Sequence, residues 1–590
     1  MRTDVAKGRD GRSVRRSDSA PRMQAPGWQV VLALSAITLV GAWLRARHLG
    51  WASLWWDEVV HLQTARLPLG ELLRHVREGI PPGAGSAGAM PLDYVVLHAW
   101  LALAPDPAPV DLVAWVRLPA FFWSTLAVPV MWWALRRGFG DGAALAAALA
   151  LALSVPGALY AAEVRFYGLL IFTSTWSLGA AARASAVPED GRAWLGWIVA
   201  ALLLAATAAT GLLLAATEFA VLVAFAALPY ARRFRRGRPL AWSAGAGLGL
   251  AALAWLWLRE IDPWWSYGRP QAQAITVGAV VGETFDFFTG RELGAMVLLL
   301  GGLAVVVHRA WRGDGAARAL AVTLLASLLL LPVLAALIRV KGYYFHPRHA
   351  LFLLPVAAAM VGAAADAAAD VAARFVRSAA APLGAGAAWS QRPRRGLALP
   401  LALAVVATVG LPAARAFVAE PAPFLARTKP LRQLEGLHAP LAQAVAALAP
   451  DACLVLVADR DSPANAVLAL HLRWWGLDGR VLLRSSTLAA PELSRRLERG
   501  PTLPPALYMR PAVGLFPEFR RLLGFPPRPE SAICPVPALA LLAWTSGLSG
   551  IDARHWRIQQ GVGFALGMAR AAGGEPATAR PRAKIPHGSR

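Results

Sequence analysis

The chain has 590 residues, of which 57% are hydrophobic and only 16% charged, and its mean hydropathy is +0.47. That apolar excess excludes an ordinary soluble domain, and repeated apolar runs of about 20 residues, each long enough to cross a bilayer, point to a polytopic membrane protein. The formal net charge of +24 comes from arginines clustered between the apolar runs, the pattern of loops retained in the cytoplasm, which argues against nucleic acid as a partner.

A basic tail, residues 1–27, precedes the first apolar run, 28–44. This run is long for a signal-peptide core and lacks a clear cleavage site, so it reads as an uncleaved helix running outward. Just beyond it stands Leu54-Trp55-Trp56-Asp57-Glu58-Val59-Val60-His61. Two adjacent carboxylates at a membrane boundary are costly unless solvated, paired or used. They read either as the hydrated first turn of a helix, which favours acidic residues, or as part of a functional site. The outer loop, 45–109, continues with a surface helix over 57–76 and a Gly/Pro link over 79–86. Met90-Pro91-Leu92-Asp93-Tyr94 then leads into an apolar piece ending near residue 104. At about 14 residues this piece is too short to span and reads as interfacial or re-entrant.

Further apolar runs lie at 110–135, 142–160, 166–182, 194–210, 211–229, 240–258, 293–307, 320–338, 349–371 and 397–418. If the 90–104 piece does not cross, Arg136 with Arg137, the group from Arg232 to Arg238, Arg309 with Arg312, and Arg374 with Arg392, Arg394 and Arg395 all face the cytoplasm. If it crosses, every later cluster faces outward, against the positive-inside rule. The expected membrane portion, 28–419, therefore has about eleven crossings plus juxtamembrane helices.

From 420 the texture becomes that of a small α/β domain, 420–570, with strands at 454–458, 481–484 and 506–509 alternating with helices near 465–475, 491–499 and 516–523. Parity puts this domain outside the cytoplasm. A tail rich in Gly, Pro and Arg, 571–590, is expected to be disordered. Cys453 and Cys534 read either as an extracytoplasmic disulfide or as two buried thiols.

The unusual polar residues collect on the outer side: Asp57, Glu58 and His61, Asp93 with Tyr94, Glu163 with Arg165 and Tyr167, and Lys341 with Arg348 and His349. Glu218 lies inside an apolar run. Carboxylates can act as a general base or hold a divalent cation, and arginine and lysine stabilise phosphate, so such a site suits transfer of a group from a phosphate leaving group. Blander roles stand beside this one: an interfacial ion pair for Glu163 and Arg165, an aqueous anchor for Arg348 and a solvated charge for Lys341, a satisfied intramembrane acid for Glu218. Asp57 and His61, four residues apart, could share a helical face as metal ligands, with Glu218 a third candidate. Asp57-Glu58-Val59-Val60-His61 is not a zincin motif, since Asp stands where the first His belongs.

Four motifs in order, Trp56-Asp57-Glu58, Met90-Pro91-Leu92-Asp93-Tyr94, Glu163-x-Arg165-x-Tyr167 and Pro347-Arg348-His349, resemble the membrane glycosyltransferases of the GT-C superfamily, close to the bacterial ArnT-like and protein O-mannosyltransferase-like families. The resemblance implies an inverting transfer of a sugar from a polyprenyl-phosphate donor to an acceptor on the outer face of a bacterial inner membrane. It makes Asp57 the catalytic carboxylate, with Glu58 supporting the acceptor, a metal or the local helix. Arg165 and Arg348, with Lys341, would bind the donor phosphate, and Asp93, Tyr94, Glu163, Tyr167 and His349 would complete the substrate site. A divalent cation is an open expectation, because Thr217-Glu218-Phe219 stands where many relatives have Thr-His-Tyr. Met90 and His349 also depart from the family pattern. The rival readings are a transporter or flippase, which would spread polar residues through the membrane depth in paired repeats, and a polymerase or ligase of lipid-linked glycans.

Overall fold

The computed structural model describes residues 27–420, apart from 51–53, 55, 79–90, 104–108, 188–189, 228–244, 251, 253–274, 314, 342–344 and 381–394, and beyond 420 only the backbone of strands. The helices in order are α1 Trp28–Ala46, α2 Trp56–Ala65, α3 Leu69–Glu78, α4 Pro91–Ala102, α5 Pro109–Leu153, α6 Val155–Ala161, α7 Tyr167–Ala186, α8 Gly191–Thr207 and α9 Ala209–Ala227. They continue with α10 Val277–Thr289, α11 Leu293–Arg312, α12 Gly315–Leu328, α13 Leu330–Lys341, a 3-10 turn Pro347–Leu353, α14 Leu354–Ala380 and α15 Arg395–Ala419.

Among the described residues, six helical stretches are long and apolar enough to cross a membrane, and α8 and α9 are shorter apolar helices. Large apolar side chains also face outward, among them Leu32, Leu39 and Trp43 on α1 and Val297, Leu300 and Trp311 on α11. In water such a surface would aggregate; in lipid it is ordinary, and the chain is a multi-pass membrane protein.

One long stretch is a hairpin. Within α5, Gly140 adopts φ 86° and ψ 172°, a backbone that glycine takes without steric cost, and the helix folds back there. Ser124 and Ala152 would lie about 40 Å apart in one straight helix. Yet Arg45 of α1 donates from Nε to Ser124 Oγ (2.8 Å), from Nη1 to Ala152 O (3.0 Å) and from Nη2 to Leu151 O (2.9 Å). The turn between expected crossings 110–135 and 142–160 is thus present, with Arg136 paired to Asp141 across it. The second expected crossing is interrupted. Pro156 has no N–H to give Ala152 O, α5 ends at Leu153, and Ser154 caps α6 by accepting from Gly157 N. The fully buried Arg45 supplies the missing donors.

Other expected elements also divide at prolines. The surface helix read over 57–76 is two helices, α2 and α3, because Pro68 cannot continue the first and starts the second. The run 320–338 divides at Leu329, ahead of Pro332, into α12 and α13. α10 occupies a stretch for which no helix was expected; it starts with Thr276 accepting from Ala279 N and stops at left-handed Gly290. Only 245–250 and 252 of the run 240–258 are described, and the rest of that expected crossing lies outside the described residues.

The core lies where α5 meets α1, α7 and α14, lined mainly by alanine and leucine. Small residues set the spacing, as is usual where lipid cannot drive helices together. A Cβ on Gly168 of α7 would stand 2.2 Å from Ala120 O, so this helix touches the α5 backbone directly. Basic side chains gather at the Gly140 end: Arg309 reaches Gly138 O and lies over Phe139, and Arg183 lies over Trp133. The opposite end of the first α5 arm carries Arg117.

Beyond 420, β1 Ala452–Leu456, β2 Val481–Ser486, β4 Met509–Pro511, β6 Leu539–Trp544, β7 Trp556–Gly561 and β8 Phe564–Ala569 form a mixed sheet in the order β4-β2-β1-β6-β8-β7. β1 runs parallel to β2 and β6; the remaining pairs are antiparallel. β3 Thr502–Leu503 and β5 Cys534–Pro535 form a separate pair. β1 and β2 match expected strands, the third falls beside β4, and the antiparallel β6–β8 portion was not anticipated. The helices expected in this domain, the tail 571–590 and the side chains of Cys453 and Cys534 lie outside the described residues.

Candidate active site

The two carboxylates of the Trp-Asp-Glu motif have different surroundings. Glu58, fully buried, forms a bidentate pair with Arg117 of α5 (Nε to Oε1 3.1 Å, Nη2 to Oε2 3.0 Å) and accepts the Val164 N–H at 2.8 Å. Arg117 also donates to Leu49 O at 2.8 Å. Glu58 therefore ties the start of α2 to α5 and to the turn between α6 and α7. Both its oxygens are engaged and no solvent reaches it, an arrangement that suits support of the local helix. Sequence reasoning passed over Arg117, although an arginine inside an apolar run signals a buried partner.

Asp57 points the other way and stays about one quarter exposed. Its Oδ2 lies 3.6 Å from Nη2 of Arg348 and 4.0 Å from Nη2 of Arg165. The two guanidinium groups come from distant places in the chain, one from the 3-10 turn before α14 and the other from the turn 162–166, and both side chains are nearly buried. At these distances the carboxylate is attracted without being clamped, unlike the 3.0 Å pair beside it. Burial works against the charge of Arg165, but Asp57, Tyr167 and Tyr94 outweigh burial and the nearby Arg348, and its pKa is raised. One carboxylate against two guanidiniums leaves a net single positive charge, which matches a phosphodiester monoanion.

Next to this group stand α2 and α4. His61, one turn after Asp57, has Nε2 2.7 Å from Asp93 Oδ2, a short approach bent at the N–H, and its ring lies tilted on Tyr94 with centroids 4.0 Å apart. His98 Nδ1 meets Ala65 O at 2.8 Å and Trp100 Nε1 donates to Trp115 O at 3.1 Å, fixing α4 against α2 and α5. Burial lowers the His61 pKa, with Asp93 and Asp57 opposing, so the ring is neutral near pH 7. Burial raises that of Tyr94, aided by Asp93 and Asp57, and the phenol stays protonated.

The structure thus brings Asp57, His61, Asp93, Tyr94, Arg165 and Arg348 together. Glu163 and Tyr167 are buried in and after the same turn, with Tyr167 packed edge-on to Tyr160 at 4.8 Å. His349 builds the 3-10 turn that carries Arg348: the His346 N–H donates to its Nδ1, and His346 Nδ1 accepts the Arg348 N–H. Lys341 ends α13; its side chain lies outside the described residues. The three metal candidates do not form one site. Glu218 of α9 accepts from Ser177 of α7 and from Trp197 of α8 at 3.0 Å, and among the described residues no three His, Cys, Asp or Glu side chains gather.

No family model matches the chain, and no curated protein matches it by sequence. Among solved structures, it is similar to ArnT from Cupriavidus metallidurans bound to undecaprenyl phosphate, at 14% identity over 92% of this chain and 98% of that one, with a TM-score of 0.49. The apo state of the same protein gives 13%, 92%, 97% and 0.48. The archaeal oligosaccharyltransferase AglB from Archaeoglobus fulgidus, in complex with an inhibitory peptide and a dolichol-phosphate, gives 13% identity over 66% of this chain and 56% of that one, with 0.41. These structural neighbours are GT-C superfamily members. All three of these TM-scores lie below 0.5.

Proposed function

We propose that this protein is an inverting glycosyltransferase that takes a sugar from a polyprenyl-phosphate donor and passes it to a hydroxyl or amine acceptor at the outer face of the cytoplasmic membrane. The observation that carries this reading is the half-open Asp57 carboxylate held loosely between Arg165 and Arg348. The donor is a phosphodiester monoanion, and its phosphate takes the two guanidiniums in charge-assisted, fork-like hydrogen bonds. Asp57 is then free to accept the proton of the incoming nucleophile. As the acceptor oxygen or nitrogen bonds to the anomeric carbon, the bond from that carbon to the phosphate oxygen breaks. Its electron pair leaves on the lipid phosphate, whose growing charge the arginines stabilise. Attack opposite the leaving group inverts the anomeric centre. Glu58 and Arg117 hold α2 and the 162–166 turn in register and touch neither substrate.

The test is to reconstitute the purified protein with polyprenyl-phosphate sugars and candidate hydroxyl or amine acceptors and to follow release of the lipid phosphate. Wild type is expected to release it, and Asp57→Asn to lose about two to four orders of magnitude in rate. Full turnover by the variant would remove Asp57 from the chemistry.

A further inference from the structure

Beside Asp57 lie buried polar atoms that the protein itself leaves unsatisfied. The Asp93 oxygen 2.7 Å from His61 Nε2 tolerates a protonated ring nitrogen and repels a bare lone pair. The neutral ring therefore carries its proton on Nε2, and Nδ1 is an acceptor. Among the described residues neither ring nitrogen of His61 makes a hydrogen bond of normal geometry, Nε2 having only the close Asp93 contact, and the Tyr94 hydroxyl has no partner either. Both side chains are fully buried. A buried polar group without a partner costs about 1–3 kcal/mol, and native structures keep few of them outside sites where a ligand or water completes the bonding. These two belong to rings in contact. His61 and Tyr94 also both feel the charges of Asp57 and Arg165.

We propose that Tyr94 Oη and His61 Nδ1 form a subsite for a hydroxyl of the sugar attached to the donor phosphate, which rests on reading Arg165 and Arg348 as the phosphate ligands. A hydroxyl both donates to the imidazole nitrogen and accepts from the phenol. An ammonium group cannot accept, and a carboxylate or phosphate cannot donate. The sugar bonded to the phosphate is the group that Arg165 brings within reach, ahead of any hydroxyl on the acceptor. Asp93 is a positioning residue, fixing the tautomer that makes Nδ1 the acceptor.

The full-length protein in lipid nanodiscs is titrated with undecaprenyl phosphate and with undecaprenyl phosphate carrying glucose, mannose or arabinose. Tyr94→Phe keeps the stacked ring and removes only Oη; it is expected to lose about tenfold in affinity for the sugar-bearing lipid that wild type prefers, about 1.4 kcal/mol, while sugar-free undecaprenyl phosphate binds as before. His61→Gln keeps a donor toward Asp93, removes Nδ1 and is expected to show the same split; if it does not fold, Tyr94→Phe decides alone. Unchanged affinity of Tyr94→Phe for every sugar-bearing lipid overturns the proposal, wherever else a defect appears. So does a wild type that holds none of them more tightly than undecaprenyl phosphate. Wild type that fails to bind undecaprenyl phosphate at all overturns instead the reading of the arginines.

Discussion

At the scale of single residues, neighbouring carboxylates have separate work because their arginine partners differ in distance. Glu58 and Arg117 meet at 3.0 Å out of water, whereas Asp57 stands 3.6 Å and 4.0 Å from two guanidiniums at a partly open position. Arg348→Lys keeps the charge but loses the planar fork, so affinity for a polyprenyl phosphate should fall about tenfold in a direct titration. His61 brings a pH dependence. Burial lowers its folded pKa from 6.5, so below about pH 6.5 the unfolded chain takes up a proton that the folded chain refuses. The stability due to burying the neutral ring is present above that pH and declines as pH falls through and below it. Thermal unfolding at pH 5 and pH 7.5 should show a larger gap for wild type than for His61→Gln; equal gaps would show that His61 does not titrate between the two states. His48, also lowered by burial, contributes to what remains.

At the scale of elements, the site is a meeting of short pieces held by buried polar contacts. Removing one partner of a buried ion pair costs about 3–5 kcal/mol because the other charge is stranded. Glu58→Ala should therefore lower the melting temperature and also activity, since the turn bearing Arg165 loses its anchor at Val164. Pairing it with Arg117→Met should restore most of the stability. Much of this level was legible beforehand. The length of apolar runs located most helices, and the motifs named five of the six residues that meet at the site, with His61 noted only as a metal candidate. What escaped has physical reasons. Arg45, just past the first apolar run, looks like an ordinary loop charge until the helices it binds are known, and Arg117, inside a run, signals a buried partner without naming Glu58. The breaks at Ser154, Pro68 and Leu329 depend on which carbonyls find other donors.

At the scale of the whole molecule, charge is sorted along the helix axes. Arg136, Arg137, Arg183 and Arg309 gather near the Gly140 turn, and Asp57, Arg165 and Arg348 near the start of α5. If the arginine-rich end obeys the positive-inside rule, reporters fused after Arg137 should be active only as cytoplasmic fusions and those fused after Gln63 only as external ones. The reverse pattern would turn the site toward the cytoplasm. Arg45 belongs to neither group. Arg45 sits near the end of the first membrane helix, yet its hydrogen-bond acceptors include a carbonyl 107 residues later in the chain. During synthesis at about 5–20 residues per second, α1 therefore meets the bilayer many seconds before its guanidinium has a place to go, and must hold that group toward the lipid headgroups. Its final seating waits until both arms of the α5 hairpin have emerged, so the order in which this protein enters its membrane is written into a single arginine.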